Sequence, residues 1–183
     1  MPDNIVNNNS DLNRVSLISD YYNSFDLFNK LKGLKIIHFN AQSLVNKVNQ
    51  FRLLCCVLKP DFLCISETWL TSDHSYSEFS IDNYYCYRCD RKNKRGGGVI
   101  IYALKNPNLQ ICKLDLESHN LLDYVIIKIK QKNTHPFYLS TVYCPPDQTS
   151  YLKNSFKDIF NNITNKDNII VGDVNIDYHS NND

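Results

Sequence analysis

The sequence predicts one mixed α/β domain, α+β in its balance, with helices packed outside sheets. Three observations carry that expectation. Short apolar runs rich in β-branched and aromatic residues recur along the chain, two amphipathic stretches with three- and four-residue spacing interrupt them, and no internal repeat is present. At 183 residues the chain suits a single buried core.

The first 32 residues are polar and Asn-rich, and read as a loosely ordered extension with a short helix near Tyr21 to Leu31. The domain proper is expected over 33–183. It opens with "LKIIHF", a compact strand-type run bounded by Gly33 and the polar "NAQS". Ser43 is the expected cap of a helix whose apolar residues Leu44, Val48, Phe51 and Leu54 or Cys55 share a face, and which stops as Lys59 meets Pro60. "DFLCISE" then reads as a strand. Strand, helix and strand within about 35 residues have the proportions of a βαβ unit, so the two strands should be parallel neighbours.

The runs "YYCYRC", "GGGVIIYAL", "LQICKL", "LDYVIIKIK" and "FYLSTVY" follow at close spacing, separated by turn residues, and predict antiparallel ribbon. Late alternation in "YVIIKIK" marks one wet face. A second helix is expected in "TSYLKNSFKDIFNNIT", capped by Thr149 or Ser150, with Leu152, Phe156, Ile159, Phe160 and Ile163 as its apolar stripe. "DNIIVGD" closes the series as a buried strand.

Composition excludes several function classes. Lys plus Arg number 20 and Asp plus Glu 19, a formal net charge of +1, so no global field draws the chain to polyanions and any such site must be local. Only two alanines, Ala41 and Ala103, accompany abundant Asn, Lys, Ile, Tyr and Phe, a skew that AT-rich codons produce by themselves. There is no signal-peptide pattern and no apolar run approaching the ~18 residues of a membrane span, so a soluble intracellular protein is expected. Seven cysteines, two of them adjacent at Cys55 and Cys56, suit reduced thiols better than a disulfide framework. Cys86 and Cys89 form a lone C-x-x-C without a second pair, weak support for zinc. Neither G-x-S-x-G nor the P-loop pattern is present, and no histidine has a spaced partner.

Chemistry is expected at strand ends, where an apolar run delivers polar groups to a rigid rim. "LKIIHF" ends in Asn40 and Gln42, "DFLCIS" in Glu67, and "NIIVG" in Asp173 and Asn175. If these strands run in one direction, two carboxylates and two or three amides gather into an oxygen-only set suited to Mg²⁺ shared with water and a phosphate. Each residue also has a local explanation: Glu67 as a turn cap, Asp173 as the start of an Asx-turn. Tyr143 ends a further strand just before a double proline, where its phenol could bond a phosphate or simply fill the rim. "RCDRKNKRGGGV" is the dense basic stretch, with Arg88, Arg91, Lys92, Lys94 and Arg95 against Asp90. Its side chains could contact phosphates along a groove or remain a solvated loop.

Five blocks in order, "IIHFNAQSL", "DFLCISETWL", "RGGGVIIY", "VYCPP" and "IIVGDVNID", resemble the endonuclease/exonuclease/phosphatase superfamily. The likeness is to the apurinic-endonuclease-like domain of non-LTR (LINE-type) retrotransposons. It implies a DNase-I-like fold, a two-sheet β-sandwich with flanking helices, and Mg²⁺-dependent (or Mn²⁺-dependent) hydrolysis of a DNA phosphodiester. Glu67 is then the direct metal ligand with Asn40 beside it, Tyr143 the phosphate-contacting tyrosine, and Asp173, supported by Asn175, the group that orients and deprotonates the attacking water. Arg91, Lys92, Lys94 and Arg95 become DNA-binding candidates. The implied partners are duplex DNA and a reverse transcriptase domain, with action in the nucleus and no membrane role.

Three departures bear on this. Gln42 stands where repair relatives tend to have Asp, Pro146 where many carry Asn, and Val174 where Phe is common. The family's closing Ser-Asp-His block has no counterpart, and His179 has the wrong spacing and neighbours. The chain is therefore expected to lack the last strands of the fold and to be weakly active or inactive alone. Two other readings fit the same residues: a non-catalytic DNA-binding pseudoenzyme, and a phosphatase or phosphodiesterase of the same superfamily.

Overall fold

The computed structural model describes residues 26–91, 96–116, 119, 121–161, 163 and 166–176. The expected disorder of the N-terminal extension falls mostly outside them, though 26–30 are helical.

Strand β1 (Ile36–Asn40) leads through helix α1 (Val48–Leu58) to β2 (Phe62–Ser66), and β1 and β2 are parallel neighbours with Asn40 opposite Ser66. Phe51, Cys55 and Leu58 give α1 its buried face. The helix stops at Lys59, whose left-handed conformation (φ 45°) returns its N–H to the Cys55 carbonyl before Pro60.

The expected Ser43 cap is corrected. Lys47 occupies the N-cap with no side-chain bond. Ser43 instead sits at φ 85° and gives its N–H to the Glu67 carbonyl at 2.9 Å. Tertiary pairing of this loop outweighs local capping.

Strands β3 (Tyr84–Cys89) and β4 (Val99–Leu104) are antiparallel and complete a first sheet ordered β1-β2-β4-β3. The second sheet holds β5 (Leu109–Lys113), β6 (Asp123–Gln131), β7 (Phe137–Tyr143) and β8 (Asn168–Asp173) in that order. Its first three strands are antiparallel, while β7 and β8 pair in parallel through a 3-10 segment, Pro146–Tyr151, and helix α2 (Leu152–Phe160). The expected antiparallel ribbon is thus divided between two sheets. The expected caps of α2 also need correcting: Tyr151 is the N-cap, and the Thr149 hydroxyl bonds back to the Pro146 carbonyl.

Three apolar layers hold the molecule together. Phe62, Cys64, Val99 and Ile101 of the first sheet meet Val125, Ile127, Ile129 and Leu139 of the second. On the outer side of the first sheet Leu63, Ile65, Ile100 and Tyr102 pack on Phe51 and Cys55 of α1. Tyr124, Ile126, Tyr138 and Val142 pack on Ile159 and Phe160 of α2. β2 is buried on both faces, which is why its residues read as an unbroken apolar run. Full burial of each large aliphatic side chain contributes about 1.5–3 kcal/mol.

All seven cysteines are free thiols, as expected. Cys86 packs with the α1 layer and Cys89 with the layer between the sheets, so the two point to opposite faces of β3 and cannot share one metal. Among the described residues no helix is long and apolar enough to cross a membrane.

Candidate active site

Each sheet contributes one parallel pair, and both pairs end at the same rim. Asn40 closes β1, Glu67 follows β2, and Tyr143 and Asp173 close β7 and β8 opposite one another. The loops beyond these strands are fastened by backbone bonds. Ala41, Ser43 and Leu44 donate to the carbonyls of Ser66, Glu67 and Thr68, each at 2.9 Å, while Thr68 and Trp69 donate to Gly98 and Gly97. Cys144 donates to the Asp173 carbonyl at 2.9 Å.

The cost of this fastening is visible in the backbone. Gln42, Ser43, Glu67, Trp69 and Asn175 all adopt positive φ, and all belong to these rim segments. Strained non-glycine conformations persist where the surroundings over-determine them, and they concentrate at functional sites. Gly97 and Gly98 also have positive φ, and a side chain there would collide with Asp123 and Arg91, or with the Thr68 hydroxyl.

Asn40 is the hub. Its Nδ2 donates to Glu67 Oε1 and to Asp173 Oδ2, both at 2.7 Å, and its Oδ1 accepts the Gln42 N–H at 3.1 Å. The last bond fixes which way the carboxamide faces. Trp69, at 3.3 Å, donates its indole N–H to Glu67 Oε2. Asp173 Oδ1 accepts the Asn175 N–H at 3.1 Å, the expected Asx-turn, while Asn175 Nδ2 donates to the Cys144 carbonyl at 2.8 Å. The local and the convergent explanations of Asp173 therefore hold together, one on each carboxylate oxygen.

Tyr143 is buried beside these acids, and its phenol is pushed up to about 12 by burial first, with the Glu67 and Asp173 charges adding and Arg91 opposing. His38 lies behind the rim with Nε2 3.2 Å from the Ser66 hydroxyl; burial holds its imidazole below its ordinary range, against the pull of Asp173.

The basic stretch is not one uniform patch. Arg88, read from sequence as part of it, is buried: its guanidinium grips Asp90 at 2.9 and 3.0 Å and donates to the Thr71 and His74 carbonyls. Arg91 pairs with Asp123 at 2.7 Å and lies over the Tyr143 ring, 5.4 Å from its centroid. Lys92, Lys94 and Arg95 lie outside the described residues. Sequence reasoning overlooked Asp123 and Trp69. For Asp123 a signal exists, an acid opening an otherwise apolar strand in "LDYVII".

Glu67 and Asp173 present carboxylate oxygens with no thiol or imidazole between them, the chemistry a hard divalent cation takes, while Asn40 turns its N–H groups to both acids and its oxygen to the Gln42 N–H. Among the described residues no group of three or more His, Cys, Asp or Glu forms, so most of such a cation's shell would come from water and ligand. Two carboxylates bridged by one amide can hold a cation, polarise a water and receive a phosphate.

No protein-family model and no curated protein sequence matches the chain. Solved structures do. An AP endonuclease, LMAP, from Leishmania major superposes with a TM-score of 0.63 at 17% identity over 76% of this chain and 54% of that one. The endonuclease domain of TRAS1, a telomere-specific non-LTR retrotransposon, gives 0.60 at 16% identity over 79% and 62%. An AP endonuclease from Archaeoglobus fulgidus gives 0.57 at 21% identity over 79% and 58%. The fold is the DNase-I-like two-sheet sandwich with flanking helices, and the chain spans between half and two thirds of each of these structures.

Proposed function

We propose that this chain is a Mg²⁺-dependent endonuclease domain of a non-LTR retroelement. It would nick duplex DNA and leave a 3′-hydroxyl from which a reverse transcriptase domain extends. The observation that carries the reading is the bridge at the rim, Asn40 Nδ2 standing 2.7 Å from both Glu67 and Asp173 with Tyr143 alongside. Further support comes from the folds it resembles, which include a retrotransposon endonuclease domain and AP endonucleases.

In this reading Glu67, with the Asn40 carboxamide beside it, would hold Mg²⁺. The cation supplies charge neutralisation on the phosphate. Asp173, held by Asn40 and the Asn175 N–H, takes a proton from water as the water oxygen attacks phosphorus. The bond from phosphorus to the 3′-oxygen breaks in line, and that oxygen takes a proton from solvent, leaving a 5′-phosphate. Tyr143, a phenol that keeps its proton at neutral pH, donates to a non-bridging oxygen. Arg91 and the basic residues after it contact flanking phosphates.

A supercoiled-plasmid nicking assay with Mg²⁺ tests this. The wild-type chain extended through a Ser-Asp-His closing block should convert supercoiled to open-circular DNA, while the chain alone nicks weakly or not at all. Chelator should stop the reaction, and Glu67→Gln and Asp173→Asn should each lower the extended protein's rate at least about 100-fold. Absence of nicking by the extended wild type, or nicking indifferent to both substitutions, would overturn the reading.

A further inference from the structure

Arg91 is held more firmly than a loop arginine needs to be. Asp123 takes its Nη2 at 2.7 Å and its Nε at 3.2 Å, a forked pair, and Asp123 Oδ2 also accepts the Gly98 N–H at 2.9 Å. Side-chain exposure is only 15% for Arg91 and 10% for Asp123, so the pair is shielded from much of the solvent screening that weakens surface ion pairs. The guanidinium carbon sits 5.4 Å from the Tyr143 ring centroid, and Asp123 and Tyr143 are direct partners across β6 and β7. Gly97 makes the arrangement sterically possible, because a Cβ there would strike both Asp123 and Arg91.

Asp123 engages only two of the five guanidinium protons, so the fork leaves donors for an anion. The acid is otherwise out of place, since a carboxylate beside a phosphate site repels the ligand. Its presence there is explained if its work is to aim a cation.

We infer that Asp123 is a positioning residue that fixes Arg91 against Tyr143, giving the rim a preset phosphate contact independent of any metal. The inference rests on the nucleic-acid reading above. A preset arginine loses little side-chain entropy on binding, whereas an exposed one loses more.

The test measures binding of a fluorescent duplex oligonucleotide across a salt series in EDTA, so that turnover plays no part. Arg91→Gln is expected to weaken binding about tenfold and to reduce the slope of log affinity against log salt by about 0.9, one phosphate contact. Asp123→Asn is expected to weaken binding about five- to tenfold although it removes a negative charge. The double variant should bind no more weakly than Arg91→Gln alone.

Asp123→Asn binding as tightly as wild type or more tightly, or losses that add in the double variant, would overturn the positioning role. Should Asp123→Asn fail to fold, Arg91→Lys decides: it keeps the charge without the planar fork, and wild-type affinity in that variant overturns the inference. Nicking separates the two claims. If Glu67→Gln abolishes nicking while the Arg91 and Asp123 variants bind and nick like wild type, the positioning role falls and the nuclease reading stands. If the chain extended through a Ser-Asp-His closing block binds duplex DNA in this Arg91-dependent way but never nicks it, the nuclease reading falls and the positioning role stands.

Discussion

The Asn40 carboxamide reaches the Asp173 carboxylate at 2.7 Å, a contact that spans 133 positions of sequence and joins one sheet of the sandwich to the other. With the second proton of the same nitrogen on Glu67, it holds two acids at a shared rim that would otherwise repel.

Removing that amide should therefore separate site assembly from folding. Asn40→Ala is expected to lower Mg²⁺-dependent nicking by about 100-fold. Because Asn40 is exposed, the melting temperature should move by only a few degrees. A loss of less than about fivefold in initial rate would remove the bridge from the site.

The phenol of Tyr143 is raised from its ordinary range to about 12, so the folded state binds its proton more tightly than the unfolded chain does. The sign follows: this contribution to stability is complete below about pH 10 and is lost as pH rises from there through about 12. An ultraviolet phenolate titration of wild type minus Tyr143→Phe should show a tyrosine ionising near the top of that window. Ionisation near pH 10 would mean that the burial and the neighbouring acids do not act on it in solution.

Gly172 stands opposite Val142 in the parallel pairing of β7 and β8, and a Cβ built on it would run into the Val142 carbonyl. Gly172→Ala is expected to cost about 2–4 kcal/mol, read by denaturant unfolding, because β8 must move away from β7. Asp173 is the next residue, so nicking should fall further than stability alone explains. Wild-type stability in this variant would show that the strand can shift freely.

Thiol chemistry should sort by burial. Cys56 and Cys112 are exposed, whereas burial pushes Cys64 up to about 12 and Cys55 up to about 11. In the native protein an aromatic disulfide reagent at pH 8 is expected to modify Cys56 and Cys112 fast, and Cys64 only at the rate of unfolding. Peptide mapping after short exposure reads this, and early labelling of Cys64 would contradict the packing between the sheets.

Much of the fold was legible because its cause is local. β2 announces itself as an apolar run since both of its faces are covered, and α1 and α2 by apolar residues that recur on one face. The strand ends were legible for a related reason, as Asn40, Glu67 and Asp173 stand where apolar periodicity stops. The caps were not legible. Ser43 has the right chemistry for an N-cap, but pairing of its loop with the Glu67 and Thr68 carbonyls holds it at positive φ, ahead of a helix that starts only at Val48.

The sequence by itself determined the strands, the helices, the parallel pairing of β1 with β2 and the polar residues waiting at strand ends, because hydrophobic spacing and crossover length are properties of neighbouring residues. It did not determine the burial of β8, a strand expected to be buried that is exposed at Ile169 and Ile170. Only the tertiary structure decided that β8 brings Asp173 to Asn40 from the opposite sheet, and that Arg88 is internal while Arg91 is aimed by Asp123. Those outcomes depend on which faces meet when two sheets stack and on which carboxylate lies nearest each guanidinium. Both are fixed by packing across long sequence separations, where periodicity carries no information.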